Sequence, residues 1–494
     1  MPSFIPYAKL QIMKKLLLLL LIPLAVFSQN DQKKIDDKIR LVENSLSPSV
    51  VYGDTIIKHK LEDRMRETHI KGLSIAVIRN FKMEWAKGYG WADEGENRKV
   101  TSSTRFQAAS ISKSLNSLGV LKLVEQGKLD PEADINKYLK GWQFPYDSIA
   151  ANKKINTYNL LSHTAGLTIH GFPGYNRTDT IPTLQQILDG KHPANTKAVR
   201  SYTTPGKSFE YSGGGTTISQ LLVSSITGRD YAEYMQEEVL KPLGMNNSSY
   251  RQPPTDSSAL ATGYYQDGKP VKGKYHVYPE QAAAGLWTTP TDLAKYIIEC
   301  QLALEGKSDK VISQAMMQKR MTGFIDSAVG LGLFLETREG LKYFNHNGGN
   351  EAFLSTYYGS LKDGNGVAIM INGEDFTVIN ELLNSVAIVY DWKGFYTPNI
   401  KKLVTLPSDS LPQFTGDYLL GKDTLTIMPC KDGLCIQQNR DSINQFKLYF
   451  SDRMSFSAKE VPNADFRAIR DASGKIEALE LTQNGRVRRL PRIH

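Results

Sequence analysis

Segments with strand character stand at both ends of a long helix-patterned stretch, and that arrangement leaves the chain few possible folds. Gly72 to Ile78 is a nearly continuous apolar run, Asn80 sits at a turn, and Met83 to Tyr89 reads as the returning strand. Residues from about 103 to 305 carry helical patterns and glycine-containing loops. Strand signals resume at Gly330 to Glu336, Lys342 to His346, Phe353 to Tyr357 and Gly366 to Ile371. An isolated hairpin is marginally stable, so the early and late strands are expected to share one antiparallel sheet. The expected class is α+β, with helices flanking that sheet and a helical lobe beside it.

After Trp392 the pattern changes. Tyr396-Thr397-Pro398-Asn399 and Pro407-Ser408-Asp409-Ser410 read as a linker, residues 396–411. Short alternating runs follow at Thr424 to Met428, Leu434 to Gln438, Phe446 to Phe450, Phe466 to Arg470 and Ala478 to Leu481. That spacing predicts a small all-β barrel or sandwich over 412–494. Cys430 and Cys435 flank Lys431-Asp432-Gly433-Leu434. An Asp-Gly turn would set the two cysteines directly opposite each other, within bridging distance. Cys300, on an apparently amphipathic helix, is expected to be a buried free thiol.

At the N-terminus, Lys14 and Lys15 precede an unbroken apolar run from Leu16 to Phe27. It is too short to span a bilayer and has the form of a signal-peptide core, so residues 1–28 are expected to be removed on export to the periplasm or beyond. Residues 29–395 then form the first globular domain, opening on a polar helical lead-in to about residue 68. No other run reaches spanning length, so no transmembrane segment is expected after signal removal. The formal charge is +9, concentrated visibly in Arg486, Arg488, Arg489 and Arg492. No aromatic-basic interleaving or helix-turn-helix pattern accompanies it, so nucleic acid is not an expected partner. The charge reads as a solvated face or as a weak attraction to anionic cell-envelope polymers.

The chemistry begins at Ser110-Ile111-Ser112-Lys113, the only Ser-x-x-Lys in the chain. Leu115, Leu118, Val120, Leu121, Leu123 and Val124 make the following helix apolar on most sides, hence buried. Residues three apart on a helix are neighbours, so the hydroxyl of Ser110 and the amine of Lys113 can meet. Burial disfavours a charged lysine, and an uncharged amine can take the hydroxyl proton. Tyr211-Ser212-Gly213-Gly214-Gly215 can hold a phenol beside such a nucleophile. His346-Asn347-Gly348-Gly349, near a strand end, leaves an edge open for substrate with a backbone N–H free to meet an oxyanion. Taken alone, each segment also has a bland reading: a surface lysine on a core helix, a tyrosine capping a core edge, a Gly/Asn-rich turn.

In order and spacing these segments resemble the serine β-lactamase and penicillin-binding protein superfamily, especially its class C β-lactamase-like and D-peptidase/esterase branch. Gly127-Lys128-Leu129-Asp130, Leu160 to Leu167, Pro242-Leu243-Gly244-Met245 and Ala284 to Thr289 support the likeness, which runs from about residue 60 to 390. The tail resembles the lipocalin-like domain that often follows this family. The resemblance implies a β-lactamase/transpeptidase-like fold and a role for each matching residue. Ser110 would be the acylated nucleophile, and Lys113 and Tyr211 would share general-base and general-acid duty. The backbone N–H groups of Ser110 and Gly349 would form the oxyanion hole, with His346, Asn347 and Gly348 bordering a small-molecule or peptide substrate of the kind cell walls supply.

Two positions depart from the family pattern. The second motif usually ends in Asn, where this chain has Gly213, and the third usually begins with Lys, where it has His346. A histidine is a weaker anchor for a substrate carboxylate. An esterase or D-peptidase is therefore expected in preference to an efficient β-lactamase. The alternatives are a catalytically silent envelope protein that binds cell-wall peptides or β-lactams, and a hydrolase whose base is His346. His163 is expected to shape a loop. No His-Glu-x-x-His, zinc-spaced cysteine pair or Gly-x-Ser-x-Gly is present, so neither a metal, a cofactor nor an α/β-hydrolase elbow is expected.

Overall fold

In the computed structural model, residues 31–439, 445–459, 461, 464–483 and 486–493 are described. The expected signal segment, 1–28, lies outside them. The chain divides into two compact units, one running to Leu46 and resuming over His59–Tyr396, the other comprising Ser47–Lys58 and Thr397–His494.

The first unit is built on seven strands: β1 (Gly72–Arg79), β2 (Lys82–Asp93), β3 (Arg98–Lys99), β4 (Phe334–Arg338), β5 (Leu341–Asn350), β6 (Phe353–Ser360) and β7 (Gly366–Ile371). Their order across the sheet is β3-β2-β1-β7-β6-β5-β4. The first strand thus pairs with the last, antiparallel, with Ile75 opposite Ile369. Burial on both faces explains why β1 and β7 read as unbroken apolar runs rather than alternating ones. Four helices frame this sheet and the cleft beside it: α1 (Ser112–Glu125), α2 (Gly213–Thr227), α3 (Pro290–Leu304) and α4 (Phe376–Val389). Leu73, Ile75, Val77 and Ile369 share a core with Val378, Ile379 and Leu382 of α4. Ala76, Ile78 and Met370 share the other core with Leu293 and Ile297 of α3 and with Leu115 and Leu118 of α1. The expected strand Gly330 to Glu336 begins later, at Phe334. Gly332 instead turns with φ 80 and donates its N–H to the Leu161 carbonyl at 2.7 Å, close against Ser117 of α1.

Helix α1 is buried almost throughout, and its polar groups are paired. Asn116 donates to Ser219 Oγ at 2.9 Å and accepts from the Tyr231 hydroxyl at 2.9 Å. The fully buried Arg320 donates to Ser117 Oγ at 3.0 Å, the Ser114 carbonyl at 2.8 Å and the Tyr296 hydroxyl at 2.7 Å. Gly119 lets α1 approach its neighbour, since a Cβ there would lie 2.6 Å from Met235 Sδ.

In the second unit Val50–Tyr52 pairs in parallel with Asn399–Lys401. The stretch read as linker therefore holds a strand and, from Ser408 to Phe414, a 3-10 turn whose Phe414 is buried. Eight antiparallel strands follow in sequence order from Gly416–Leu420 to Arg486–Pro491. Three of them, Gly416–Leu420, Ser455–Ala458 and Arg486–Pro491, gave no sequence signal. A bridge between Tyr418 and Arg492 brings the last strand back to the first, so the sheet nearly closes into a barrel around Phe414, Phe450, Phe456 and Phe466. Cys430 and Cys435 are bridged, with Cα atoms 5.8 Å apart. They are not directly opposite, as the Asp-Gly turn implied. Cys430 faces Gly433 and Cys435 faces Met428, because the turn falls one residue earlier, on Lys431-Asp432, and the bridge runs diagonally. Cys300 is a buried free thiol.

Leu118 fills the junction between α1 and the sheet and is 0% exposed. Leu118→Ala should lower the unfolding free energy by about 2–5 kcal/mol in denaturant titration. A change under about 0.5 kcal/mol would mean that α1 is not the packed element described.

Candidate active site

Ser110 lies on a 3-10 turn, Ala109–Ile111, that leads into α1. Ala109 is held at φ 48, a left-handed conformation costly for a residue with a Cβ, and it aims the next side chain out of the helix axis. Ser110 is half-buried, whereas Lys113 is 3% exposed. Lys113 Nζ lies 3.0 Å from Ser110 Oγ and donates to the Ala283 carbonyl at 2.8 Å. No carboxylate pairs with it among the described residues. Ala283 belongs to the short helix Gln281–Ala284, and Ser112 Oγ fixes the next segment by accepting from the Leu286 N–H at 3.0 Å.

β5 passes directly over this turn. A Cβ on Gly348 would lie 2.2 Å from the Ala108 carbonyl, and Ser355 of β6 donates to that same carbonyl at 2.9 Å. Pairing with β4 ends at Asn345, opposite Phe334. His346 to Asn350 therefore present an outer edge with no strand partner among the described residues. Asn347 and Gly349 are exposed and Gly348 is buried. Asn347 accepts from Thr356 Oγ1 at 2.6 Å, and Asn350 donates to Gln107 at 2.7 Å and to the Ala284 carbonyl at 3.1 Å.

Tyr211 forms the facing wall. Its ring centroid lies 5.0 Å from Lys113 Nζ, 4.4 Å from the His163 ring, 4.7 Å from His170 and 6.3 Å from both Phe334 and His346. The Tyr211 hydroxyl has no hydrogen-bond partner among the described residues, so the lysine meets the phenol through its ring face. The sequence placed Ser110, Lys113, Tyr211 and His346 around one cleft. It did not point to Ala283, Phe334 or His170. His163 does shape a loop: its Nδ1 accepts from the Ser212 N–H at 3.2 Å, which leaves the ring proton on Nε2.

Both buried imidazoles are neutral. Burial first, and the neighbouring Lys113 second, push His346 down to about 3. The same two causes, followed by His346 and His170, hold His163 well below its ordinary value. His346 Nδ1 donates to the Asn347 carbonyl at 2.6 Å, so its Nε2 is a bare acceptor, buried and unpartnered. His346 makes no hydrogen bond to Ser110. Three histidines crowd Tyr211, yet no group of His, Cys, Asp or Glu among the described residues is placed to hold a metal ion.

A serine next to the left-handed Ala109 and beside a buried lysine, an open strand edge across from them and a phenol opposite define a serine-hydrolase type of cleft. The Beta-lactamase family model matches residues 57–387, and the chain belongs to that family. Protein flp of Staphylococcus aureus (strain MRSA252) is 28% identical over 334 residues, covering 65% of this chain and 62% of that protein. The octameric penicillin-binding protein homologue from Pyrococcus abyssi superposes with a TM-score of 0.60 at 21% identity, covering 87% of this chain and 98% of that one. The D-amino acid amidase from Ochrobactrum anthropi SV3 gives 0.55 at 21% identity, covering 72% and 98%. These two likenesses concern the fold. No helix among the described residues is long and apolar enough to cross a membrane.

Gly348→Ala should cut turnover of any substrate about a hundredfold, because the added methyl must displace the turn carrying Ser110. Gly349→Ala, whose Cβ would meet only Leu354 Cδ2 at 3.4 Å, should cost far less. Equal losses in steady-state assays would contradict the close approach described. The neutral histidines also set a pH dependence. Unfolded imidazoles bind protons near pH 6.5 and folded His346 only near 3, so between those values the unfolded chain binds more protons. Stability is therefore full above about pH 6.5 and falls as pH drops toward 3, by up to about 1.4 kcal/mol per unit for each such proton. His346→Gln should flatten that slope in denaturant titrations at pH 4–7, and an unchanged slope would count against a buried neutral His346.

Proposed function

We propose that this chain is an exported serine hydrolase that forms an acyl-enzyme on Ser110 and acts on an ester or a D-residue-containing amide. Ser110 Oγ attacks the substrate carbonyl carbon, and its proton passes to Lys113 Nζ in the uncharged amine form. The tetrahedral oxyanion lies between the backbone N–H groups of Ser110 and Gly349, close to where β5 crosses the serine turn. As the carbonyl re-forms, the leaving alcohol or amine departs with a proton relayed from Lys113, with Tyr211 beside it. Water then attacks the ester on Ser110, Lys113 takes its proton, and Ser110 Oγ recovers one as the acid leaves.

One observation carries this reading: an amine 3% exposed, 3.0 Å from an alcohol, held from behind by a carbonyl rather than a carboxylate. The substrate class rests on His346. An uncharged ring stands where a cation would grip a carboxylate, which favours uncharged esters and amides over penicillin-like acids. That a D-amino acid amidase shares the fold is in keeping with the amide branch. Export rests on the apolar run Leu16 to Phe27 behind Lys14 and Lys15.

Ser110→Ala and Lys113→Ala should each lower turnover of nitrophenyl esters or D-aminoacyl anilides about a thousandfold or more, the pair acting as a unit. A fluorophosphonate probe should add its mass to the peptide containing Ser110. Adduct on another peptide, or near-native rates in either variant, would end this reading.

A further inference from the structure

The second motif ends in Gly213, which has no side chain to offer a substrate, and the structure shows what occupies that place. A Cβ built on Gly213 would lie 3.0 Å from Phe172 Cε2 and 3.1 Å from the His170 carbonyl. One on Gly214 would lie 2.9 Å from the Thr168 carbonyl. The glycines thus let the segment from Thr168 to Phe172 lie flat against the start of α2. Three donors fasten it there, the last shared between two carbonyls. Gly213 N–H donates to the His170 carbonyl at 3.1 Å and Gly214 N–H to the Ile169 carbonyl at 3.0 Å. Ser212 Oγ donates to the carbonyls of Thr168 at 2.9 Å and Ile169 at 3.3 Å. Ile169 is held at φ 64, a conformation that a β-branched residue adopts only when its surroundings force it.

This strained, fastened turn carries the His170 ring onto the rim of the cleft. Its centroid is 4.7 Å from that of Tyr211, the side chain is exposed, and its ring nitrogens have no partner among the described residues. Core packing does not account for it, since it is not in the core. An imidazole N–H can donate a hydrogen bond to a substrate carbonyl, as an asparagine amide can.

We propose that His170 is a specificity-determining residue that supplies, from the Thr168 to Phe172 turn, the substrate hydrogen bond that Gly213 cannot make. It recognises an amide on the acyl side of the scissile bond, so that N-acylated aminoacyl substrates are preferred over plain acyl ones. This rests on the acyl-enzyme reading above. A side chain at position 213 would press on the Phe172 ring edge at 3.0 Å and on the His170 carbonyl at 3.1 Å, so it would crowd this turn.

The test compares two chromogenic esters, an N-acetyl-D-alanyl nitrophenyl ester and nitrophenyl butyrate, on the full chain. His170→Phe keeps the ring against Tyr211 and removes the hydrogen bond. It should lower the ratio of kcat/KM values between the two esters roughly tenfold, the size of one neutral hydrogen bond. His170→Asn should restore most of that ratio. Gly213→Asn combined with His170→Phe should restore less, because the new side chain presses on the Phe172 ring and the turn behind it. Thermal unfolding of each variant identifies any that has lost its fold, and His170→Gln then serves in its place. An unaltered ratio in folded His170→Phe, or no recovery in folded His170→Asn and His170→Gln, would overturn the proposal. Failure of wild-type Ser110 to take a fluorophosphonate would instead refute the acyl-enzyme reading beneath it.

Discussion

Much of the structure follows from one buried amine that has no carboxylate partner among the described residues. Lys113 reaches Ser110 Oγ on one side and the Ala283 carbonyl on the other, with the Tyr211 ring beneath it. A carboxylate at that place would favour the ammonium form of a lysine, which could not take the serine proton as the proposed reaction requires. Keeping acids away while satisfying the amine requires a carbonyl from a segment distant in sequence. That segment must be fixed to α1, as Ser112 does by accepting from Leu286, and Tyr250 does by donating to the Ser112 carbonyl at 2.5 Å.

The same avoidance of charged acids extends around the site. Arg320, fully buried behind α1, directs its donors to the Ser114 carbonyl, Ser117, Tyr296 and, at 3.4 Å, Cys300 Sγ rather than to a carboxylate. Glu280, which precedes the helix carrying Ala283, is 0% exposed, and burial raises its carboxyl to about 8, so at neutral pH it is mostly protonated. His163 and His346 are neutral for the same first reason, since burial disfavours the charged form of an imidazole as it does that of a carboxyl. On the proposed reading, a cleft of this kind suits carbonyls that gain charge only during reaction.

Much of this was legible in the sequence, and the limits have physical causes. β1 and β7 were plain because strands buried on both faces are apolar throughout. β4 was misplaced because Gly330 to Leu333 are apolar for a different purpose, a turn against α1. The barrel strand Arg486–Pro491 was hidden because four of its first five residues are exposed and three are arginines, leaving almost no alternation to read. Ser110 and Lys113 could be paired because helical spacing is local. Ala283, Phe334 and His170 could not, since each arrives through folding from a separate segment. His170 was further hidden because its use depends on a feature that reads as an absence, the missing side chain at Gly213.

Chemical restoration of the amine tests the central claim most directly. In Lys113→Cys the site should be folded but inactive. Alkylation of that cysteine with bromoethylamine rebuilds a primary amine one helical turn from Ser110, and ester turnover should return to within about tenfold to a hundredfold of native. Native-like turnover in Lys113→Cys before alkylation, or a folded and fully alkylated protein that stays inactive, would contradict the role of Lys113 as the proton acceptor for Ser110.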